Sequence, residues 1–246
     1  MKVHGRRAVM FVKEFKLSGD MSRMSITVTP DTAEVTAFED QSKEFIEGQF
    51  SWAVGMEGYW DPAINREDEQ FAEMVGFGTQ VIGIYPGGTA PSITGYEGKG
   101  ILTNYSPEAT MGGAVVFSAD AQGSDDMMRT TILDSGHKVA NGTSTPYNIG
   151  TAGMVRGIIG VFRALGTAIT SGHGTLTASI WASATEGGTY GQIIGFTQIT
   201  TPGGTFTPTV EYKTTATAQV GPWFEAVRAM TAGDDIEISV SCGTEE

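Results

Sequence analysis

The chain has 246 residues, a formal net charge of −13 and one cysteine, with 40% hydrophobic and 17% charged residues. This composition excludes a wholly disordered chain, and the many glycine, threonine and serine residues disfavour a helical bundle. The length suits either one large β domain or two domains of about 100–150 residues. The negative charge repels phosphates and argues against a specific nucleic-acid binder. Cys242 has no partner for an internal disulfide.

The sequence predicts no membrane anchor. Residues 1–20 carry charged side chains through their apolar positions, so they lack the apolar core of a signal peptide. The longest apolar region, 154–169, is interrupted by Arg156 and Arg163 and is too short to span a bilayer. A single cysteine also suits folding in a reducing cytoplasm.

The first strand is followed by a long polar stretch. Residues 21–29 alternate apolar and polar side chains, the period of a half-buried strand, and Pro30 is expected to end it. The stretch Pro30–Glu47 carries Phe38 and Phe45 among charged residues. Structureless loops of more than about 12–15 residues are uncommon in compact domains and are usually functional or disordered. Because isolated domains seldom expose aromatics in this way, we expect another protein chain to cover the loop.

A second strand and a short helix are predicted after the loop. The strand over residues 49–56 directs one set of side chains to a single face: Phe50, Trp52, Val54 and Met56. The helix over 65–76 has Asn65 as its N-cap, Asp68 in the capping-box position and Gly76 as its stop. Its narrow apolar stripe is expected to pack against the sheet: Phe71, Met74 and Val75.

The rest of the chain consists of strand-like runs separated by glycine and proline turns. A first domain over 1–140 is expected to be joined to a second, over 150–246, by a Gly/Ser/Thr-rich linker at 134–153. The second half contains six strand-like segments, with clean alternation in 175–182 and 236–242. We therefore predict a mainly β protein with two antiparallel β-sandwich or barrel-like domains, the first flanked by one short α-helix and carrying a long loop.

Residues suited to catalysis or metal binding are scarce. The three histidines, His4, His137 and His173, are isolated near a terminus or glycine-rich turns, and no CxxC, HxxxH or EF-hand pattern occurs. The pairs Asp125–Asp126 and Asp234–Asp235 are adjacent in sequence, and neighbouring strand residues point to opposite faces. We predict no catalytic residue, no metal site and no cofactor.

A surface adhesin or carbohydrate-binding β-sandwich module is the alternative hypothesis. Aromatic side chains bind pyranose rings as apolar surfaces, and five residues are candidates for such a platform: Tyr59, Trp60, Trp181, Tyr190 and Trp223. Trp223 lies in an alternating strand, which favours a position in the core or in an interface.

The order of a strand, an aromatic polar loop, a second strand, a short acidic helix and a glycine-rich β run resembles the major tail tube proteins of long, non-contractile-tailed bacteriophages. Their V-T-x-F-x-D-x-S-K loop, the glycine after it and the strand that ends in an aromatic residue and Asp are matched by Val35, Thr36, Phe38, Asp40, Ser42, Lys43, Gly48, Tyr59 and Asp61. The second half is similar to the extra C-terminal β domain of longer members. Their S-x-D-G-x-x-W turn is degenerate in residues 183–191, where Glu186 replaces Asp and Tyr190 replaces Trp.

The resemblance implies a non-enzymatic structural protein of the virion tail, assembled in the host bacterial cytoplasm. Copies would form stacked rings around a hollow tube through which DNA passes without specific binding. The rings would be homotrimeric if both halves are tube-type domains, which their similar length and β pattern favour, and homohexameric if only the first half is. Tape-measure, terminator and baseplate or distal tail proteins would be further partners.

The same resemblance assigns the contacts between subunits to the Pro30–Glu47 loop. The implied contact residues are Val35, Thr36, Phe38, Glu39, Asp40, Lys43 and Phe45, next to Trp52, Tyr59, Trp60, Asp61 and Phe71 in the adjoining strand and helix.

Overall fold

The protein is mainly β, as predicted. The computed structural model describes residues 5–17, 19, 21–35, 42–63, 66–149, 157–165, 175–200, 208–215, 221–230 and 236–245. Within these residues there is one α-helix, Glu67–Met74 (α1), and one 3-10 helix, Gly5–Arg7. The strands are β1 Val9–Val12, β2 Phe15–Lys16, β3 Met21–Glu34, β4 Phe45–Tyr59, β5 Gln80–Tyr85, β6 Thr94–Glu108, β7 Val116–Gly123, β8 Met128–Lys138, β9 Gly142–Thr143, β10 Tyr147–Asn148, β11 Gly157–Leu165, β12 Thr175–Ser183, β13 Gly191–Gly195, β14 Ile199–Thr200, β15 Thr209–Thr215, β16 Trp223–Met230 and β17 Ile236–Glu245.

The chain divides into two compact units. The main unit comprises the described residues of Met1–Ser18, Val81–Glu97 and Met128–Glu246, and the hairpin unit comprises those of Gly19–Gln80 and Gly98–Met127. Strand β6 contributes its residues up to Glu97 to the main unit and the rest to the hairpin unit. This division differs from the predicted split into 1–140 and 150–246, because the chain enters and leaves the hairpin unit twice.

The main unit contains two sheets built from antiparallel strand pairs. One has the strand order β15–β11–β17–β8–β6–β5–β1–β2, and the other has the order β10–β16–β12–β13, with β14 added to β12 and β9 to β16. Buried apolar side chains of both sheets form a shared core, including Phe162 and Val240 from the first and Ile180 and Phe224 from the second. The predicted alternation is confirmed in β12, where Leu176, Ala178, Ile180 and Ala182 are buried. In β17 the expected side chains are buried as well, but so are Ser239 and Ser241 of the opposite set, so this strand is buried on both faces.

The predicted linker is largely part of the main unit. Residues 134–138 belong to β8 and pair with β17, while β9 and β10 pair with β16. Asp134 is nearly buried and binds Arg228 Nη1 at 2.5 Å and Lys138 Nζ at 2.8 Å. A segment without apolar periodicity is thus held by strand pairing and ion pairs, which composition does not reveal.

A charged pair lies in the interior of the main unit. Arg163 Nη1 donates to Glu97 Oε1, and both side chains are wholly inaccessible. Glu97 also accepts hydrogen bonds from the Tyr85 hydroxyl at 2.6 Å and the Ser241 hydroxyl at 2.8 Å, and Arg163 Nε donates to the Lys13 carbonyl at 2.9 Å. Burial and the neighbouring Glu97 carboxylate raise the pKa of Tyr85 well above its ordinary value. Buried charges are tolerated when they are paired and hydrogen-bonded, so this network joins β5, β6, β11 and β17.

The hairpin unit is a four-stranded antiparallel sheet in the order β3–β4–β7–β6, with α1 packed on it. Phe71 of α1 is fully buried, and its ring centroid lies 5.7 Å from that of Tyr105 and 5.5 Å from that of Phe117. Met74 is also buried, whereas Val75 is exposed. The predicted packing of the helix against the sheet is confirmed for Phe71 and Met74.

The helix is shorter than predicted at both ends. It spans Glu67–Met74 rather than 65–76, and Arg66, in the N-cap position, makes no side-chain cap hydrogen bond. The Asp68 carboxylate was expected to form a capping box with the start of the helix. It instead accepts a hydrogen bond from the Tyr105 hydroxyl at 2.7 Å. Asn65, the predicted N-cap, lies outside the described residues. Gly76 has a φ of 75°, the left-handed conformation that glycine adopts after helices.

Candidate assembly hairpin

Strands β3 and β4 form a long antiparallel hairpin that runs from the pair Met21–Gly58 to the pair Glu34–Phe45. On its other side β4 pairs with β7, but only from Ala53 to Tyr59. Strand β3 pairs with β4 alone among the described strands. The outer part of the hairpin, residues 28–35 and 42–51, is therefore a two-stranded ribbon, which we call the arm.

The arm corrects the predicted Pro30–Glu47 loop. Strand β3 continues through Pro30 to Glu34, and β4 already begins at Phe45, so most of the described residues of this segment lie in paired strands, at 30–34 and 45–47. Pro30 was expected to end the strand, but proline is tolerated in an edge strand such as β3. Its presence is also a common means of keeping an edge from uncontrolled pairing.

The arm carries large apolar side chains on its surface. Phe45 and Phe50 are 58% and 59% exposed, and Val28, Val35 and Ile46 are also exposed. Hydrated apolar surface is unfavourable by about 25 cal/mol per Å² relative to buried surface. A concentration of such side chains on ordered strands is typical of a surface that becomes covered in an assembly.

Trp52 anchors the arm to the rest of the hairpin unit. Its side chain is only 4% exposed, although Phe50 lies just two residues away on the same strand. The indole Nε1 donates to the Asp125 carbonyl at 2.5 Å. A Cβ atom added to Gly123 would lie 2.4 Å from the Trp52 ring, and one added to Gly98 would lie 2.9 Å from it. These two glycines therefore make the space that the indole occupies.

A β-bulge lies in the middle of the arm. The register shifts between Pro30 and Thr32, where Gly48 and Gln49 of β4 lie opposite Asp31 of β3, so the extra residue is on β4. A Cβ atom added to Gly48 would lie 3.1 Å from the Asp31 carbonyl oxygen, so glycine allows the two strands to approach at this point. Bulges bend a strand and increase its twist. Gly48 is one of the residues matched to the tail tube pattern, and this close approach gives it a structural role.

The end of the arm is closed by two contacts. The Val35 N–H donates to the Glu44 carbonyl at 2.9 Å, and Lys43 Nζ lies 2.7 Å from Glu34 Oε2. Of the predicted contact residues, Val35, Lys43 and Phe45 thus lie together where the two strands of the arm are joined. The others lie outside the described residues: Thr36, Phe38, Glu39 and Asp40.

The remaining predicted site residues lie where the hairpin meets α1. Tyr59 is exposed at the end of β4, and Trp60 is half-buried, with its N–H bonded to the Val115 carbonyl at 3.0 Å. Asp61 Oδ1 accepts a hydrogen bond from the Ala63 N–H at 3.0 Å, which forms a turn before the helix. Phe71 is buried in the hairpin unit and does not contribute to an exposed surface.

A cleft of about 460 Å³ opens beside the arm, where β7 ends and β4 continues. It is lined by residues 49–52 of β4 and by residues 123–126. Because β4 pairs with no other described strand on this side before Ala53, its backbone groups here form a sheet edge of the kind to which a further strand can be added.

The described residues offer little for metal or redox chemistry. They contain no group of three or more His, Cys, Asp or Glu side chains placed to hold a metal ion. His137 Nε2 lies 3.9 Å from Glu237 Oε2, and burial raises the pKa of the Cys242 thiol far above its ordinary value. His4 and His173 lie outside the described residues. In the described part of the chain, no helix is both long and apolar enough to cross a membrane.

No family model and no curated protein matches the chain. Among solved structures, a chain in the virion of a native gene transfer agent particle is similar to it, with 15% identity and a TM-score of 0.42 over 51% of this chain and 97% of that one. A chain in the tail of an empty particle of this kind, with C6 symmetry, has 14% identity and the same score and coverage. The SPP1 Dit (gp 19.1) protein, a hub adsorption apparatus protein of phages that infect Gram-positive bacteria, has 10% identity and a TM-score of 0.37 over 97% of this chain and 98% of its own.

Proposed function

We propose that this chain is a structural subunit of a phage tail and that copies of it assemble through the β3–β4 hairpin. The observation that carries the proposal is the arm, an ordered ribbon with five large apolar side chains exposed: Val28, Val35, Phe45, Ile46 and Phe50. Two-stranded ribbons are marginally stable in water by themselves. Contact with a second copy would bury these side chains and stabilise the arm.

The cleft beside the arm supports the same mode of assembly. The edge of β4 over residues 49–51 supplies backbone donors and acceptors, and Phe50 supplies an apolar anchor next to them. Strand addition combines main-chain hydrogen bonds with side-chain contacts of this kind. An extended segment of another copy is the occupant that we propose for the cleft.

The finer proposal follows the resemblance to tail tube proteins. Three or six copies form a ring, and rings stack into a hollow tube through which DNA is delivered. The net charge of −13 agrees with such a lumen, because an acidic wall repels the DNA phosphates. Salt screens this repulsion beyond about 8–10 Å, so it prevents adhesion without blocking passage. The tape-measure, terminator and baseplate or distal tail proteins are the further partners, and the role assigned to the chain is not catalytic.

Assembly of the purified full chain tests the proposal. We expect sedimentation velocity to show a concentration-dependent shift from monomer to large species, and negative-stain electron microscopy to show rings or tubes with three-fold or six-fold symmetry. A protein that sediments as a monomer at every concentration and salt condition, and that shows no rings, contradicts the proposal.

A further inference from the structure

The outer face of the six-stranded sheet in the main unit carries a group of aromatic and polar side chains. In the register of this sheet, Trp181 of β12 lies opposite Glu225 of β16 on one side and opposite Gln192 of β13 on the other. Residues directly opposite one another in a sheet share a face. Their neighbours Ala182 and Phe224 are buried in the core, so Trp181, Glu225 and Gln192 point away from it.

Two further aromatic residues join this face. Trp223 lies two residues before Glu225 on β16 and so shares its side of the sheet. Its position is diagonal to Trp181, a spacing of about 7–8 Å between Cα atoms. Tyr190 lies immediately before β13, close enough to Glu225 for that carboxylate to raise its pKa, and its hydroxyl donates to the Glu186 carbonyl at 2.9 Å. We call Trp181, Tyr190, Gln192, Trp223 and Glu225 the aromatic face.

Local structure orients the Trp181 ring. Its indole Nε1 donates to the Ser179 hydroxyl, two residues back on the same strand, at 2.8 Å. This bond draws the indole along β12 towards Ser179, which lies on the same face of the strand. A β-bulge between Ile180 and Trp181 shifts the register against β13 and brings Gln192, rather than Ile193, opposite the indole. Gln192 is exposed, and its amide Nε2 lies over Gly195 of the same strand, where an added Cβ atom would be 2.5 Å away.

The electrostatics of the aromatic face restrict its ligands. Partial burial raises the pKa of Glu225, and partial burial together with the Glu225 and Glu186 carboxylates raises the pKa of Tyr190. The two carboxylates are therefore close enough to influence the tyrosine. An anionic ligand would be repelled from this surface, whereas a neutral or cationic one would not.

We propose that the aromatic face binds a neutral or amino-sugar glycan, with a pyranose ring stacked on Trp181. The C–H face of a pyranose carries partial positive charge and packs on the negative face of an aromatic ring. The hydroxyl groups around the sugar ring meet Gln192 and Glu225, which flank the indole on both sides. Trp223 and Tyr190 provide aromatic surface for neighbouring sugar units. This inference does not depend on the proposed assembly, because none of its residues belongs to the hairpin unit.

The structure also separates the aromatic residues that the sequence grouped together. Trp181, Tyr190 and Trp223 belong to the main unit, whereas Tyr59 and Trp60 belong to the hairpin unit. Trp223 was expected in the core or an interface, but its side chain is only partly buried and shares the outer face with Glu225. Trp60 is likewise partly buried and provides a matched tryptophan outside the proposed site.

Binding can be measured by isothermal titration calorimetry of the full chain with defined oligosaccharides. We expect binding of cellohexaose or chitohexaose, or of the fully deacetylated chitosan hexamer, and none of the anionic galacturonic acid hexamer. Trp181→Leu keeps an apolar side chain but removes the aromatic face, and it should weaken binding by about tenfold, which corresponds to 1.4 kcal/mol. Trp181→Phe keeps an aromatic face and should retain most of the affinity. Trp60→Ala should bind as the parent protein does.

Two outcomes overturn the proposal. One is a parent protein that binds none of the neutral or amino-sugar hexamers. The other is binding that Trp181→Leu and Trp223→Ala leave unchanged, which would place the ligand elsewhere. Thermal unfolding of each variant identifies any that has lost its fold, and Glu225→Gln, a substitution at the surface, then serves as the second probe. Its affinity for the deacetylated chitosan hexamer should fall relative to that for cellohexaose.

Discussion

Two regions of the molecule depart from the usual rule that apolar side chains are buried and charged side chains are exposed: the arm of the hairpin unit and the interior of the main unit. The arm exposes Phe45 and Phe50, while the main unit buries Arg163 and Glu97. The buried charges are paired within the chain, because they bind each other and three further groups. One buried nitrogen of the pair, Arg163 Nη2, has no hydrogen-bond partner among the described residues. Within the described residues, Phe45 and Phe50 are not covered in this way. The main unit therefore pairs its buried charges within the chain, whereas the proposed assembly would cover the apolar side chains of the arm.

The largest expected effect concerns the buried pair. Arg163→Met leaves Glu97 as an uncompensated buried charge, which should lower the free energy of unfolding by about 3–5 kcal/mol. Urea denaturation at neutral pH, followed by circular dichroism, measures the loss. Replacing both partners, Glu97→Leu with Arg163→Met, should recover much of it, since no charge is then left unpaired. A single variant as stable as the parent would show that the pair is not buried as described.

A second prediction contrasts two neighbouring residues of β4. Trp52→Ala should lower the free energy of unfolding by about 3–5 kcal/mol, because it empties the space between Gly98 and Gly123. Phe50→Ala should change it by less than about 0.5 kcal/mol, since its side chain is exposed. Chemical denaturation under dilute, monomeric conditions compares the two. Equal losses of stability would mean that Phe50 packs within its own subunit and is not available for contacts between subunits.

The third prediction tests the arm in assembly. Phe45→Ala and Phe50→Ala should each weaken the association of subunits by about 1.5–3 kcal/mol per site while the monomer stays folded. Sedimentation velocity over a concentration series gives the shift, and Phe77→Ala provides a control, since Phe77 is an exposed phenylalanine outside the arm. Phe38→Ala is expected to act as Phe45→Ala does. If the control weakens association as much as the arm variants do, the effect is not specific to the arm.

The smallest expected effect concerns the ion pair at the end of the arm. Lys43 and Glu34 lie 2.7 Å apart but are both well exposed, so Lys43→Ala should change monomer stability by less than about 1 kcal/mol. Lys43→Ala and Arg163→Met each remove one positive charge, the first from an exposed site and the second from a buried one. Parallel urea denaturation of the two variants measures the difference. A loss for Lys43→Ala as large as that for Arg163→Met would contradict the assignment of the arm to the surface.

Much of the candidate site could be located from the sequence, though its structure could not. Phe45 drew attention because it lies among charged residues, and it is exposed as expected. The strand pairing of Pro30–Glu34 was missed, because proline and charged residues lower the β propensity that sequence patterns measure. Phe50 was predicted to share a face with Trp52 because the alternation continues through both, but the pattern does not say which of the two is buried. Trp52 is buried and Phe50 is exposed because β7 pairs with β4 only from Ala53 onwards. The end of β7, a distant part of the chain, therefore sets where burial along β4 stops.

The sequence by itself determined the β-rich class and the buried face of a strand such as β12, because the two-residue period of a strand is a local property. Only the tertiary structure decided how a polar segment such as 134–148 joins the main unit and which charges are buried. Arg163 appears in the sequence as an interruption in an apolar run. Its partner Glu97 is 66 residues away, and no local pattern links the two. Which buried polar groups pair is decided by which distant strands fold next to one another, and only the three-dimensional structure shows this.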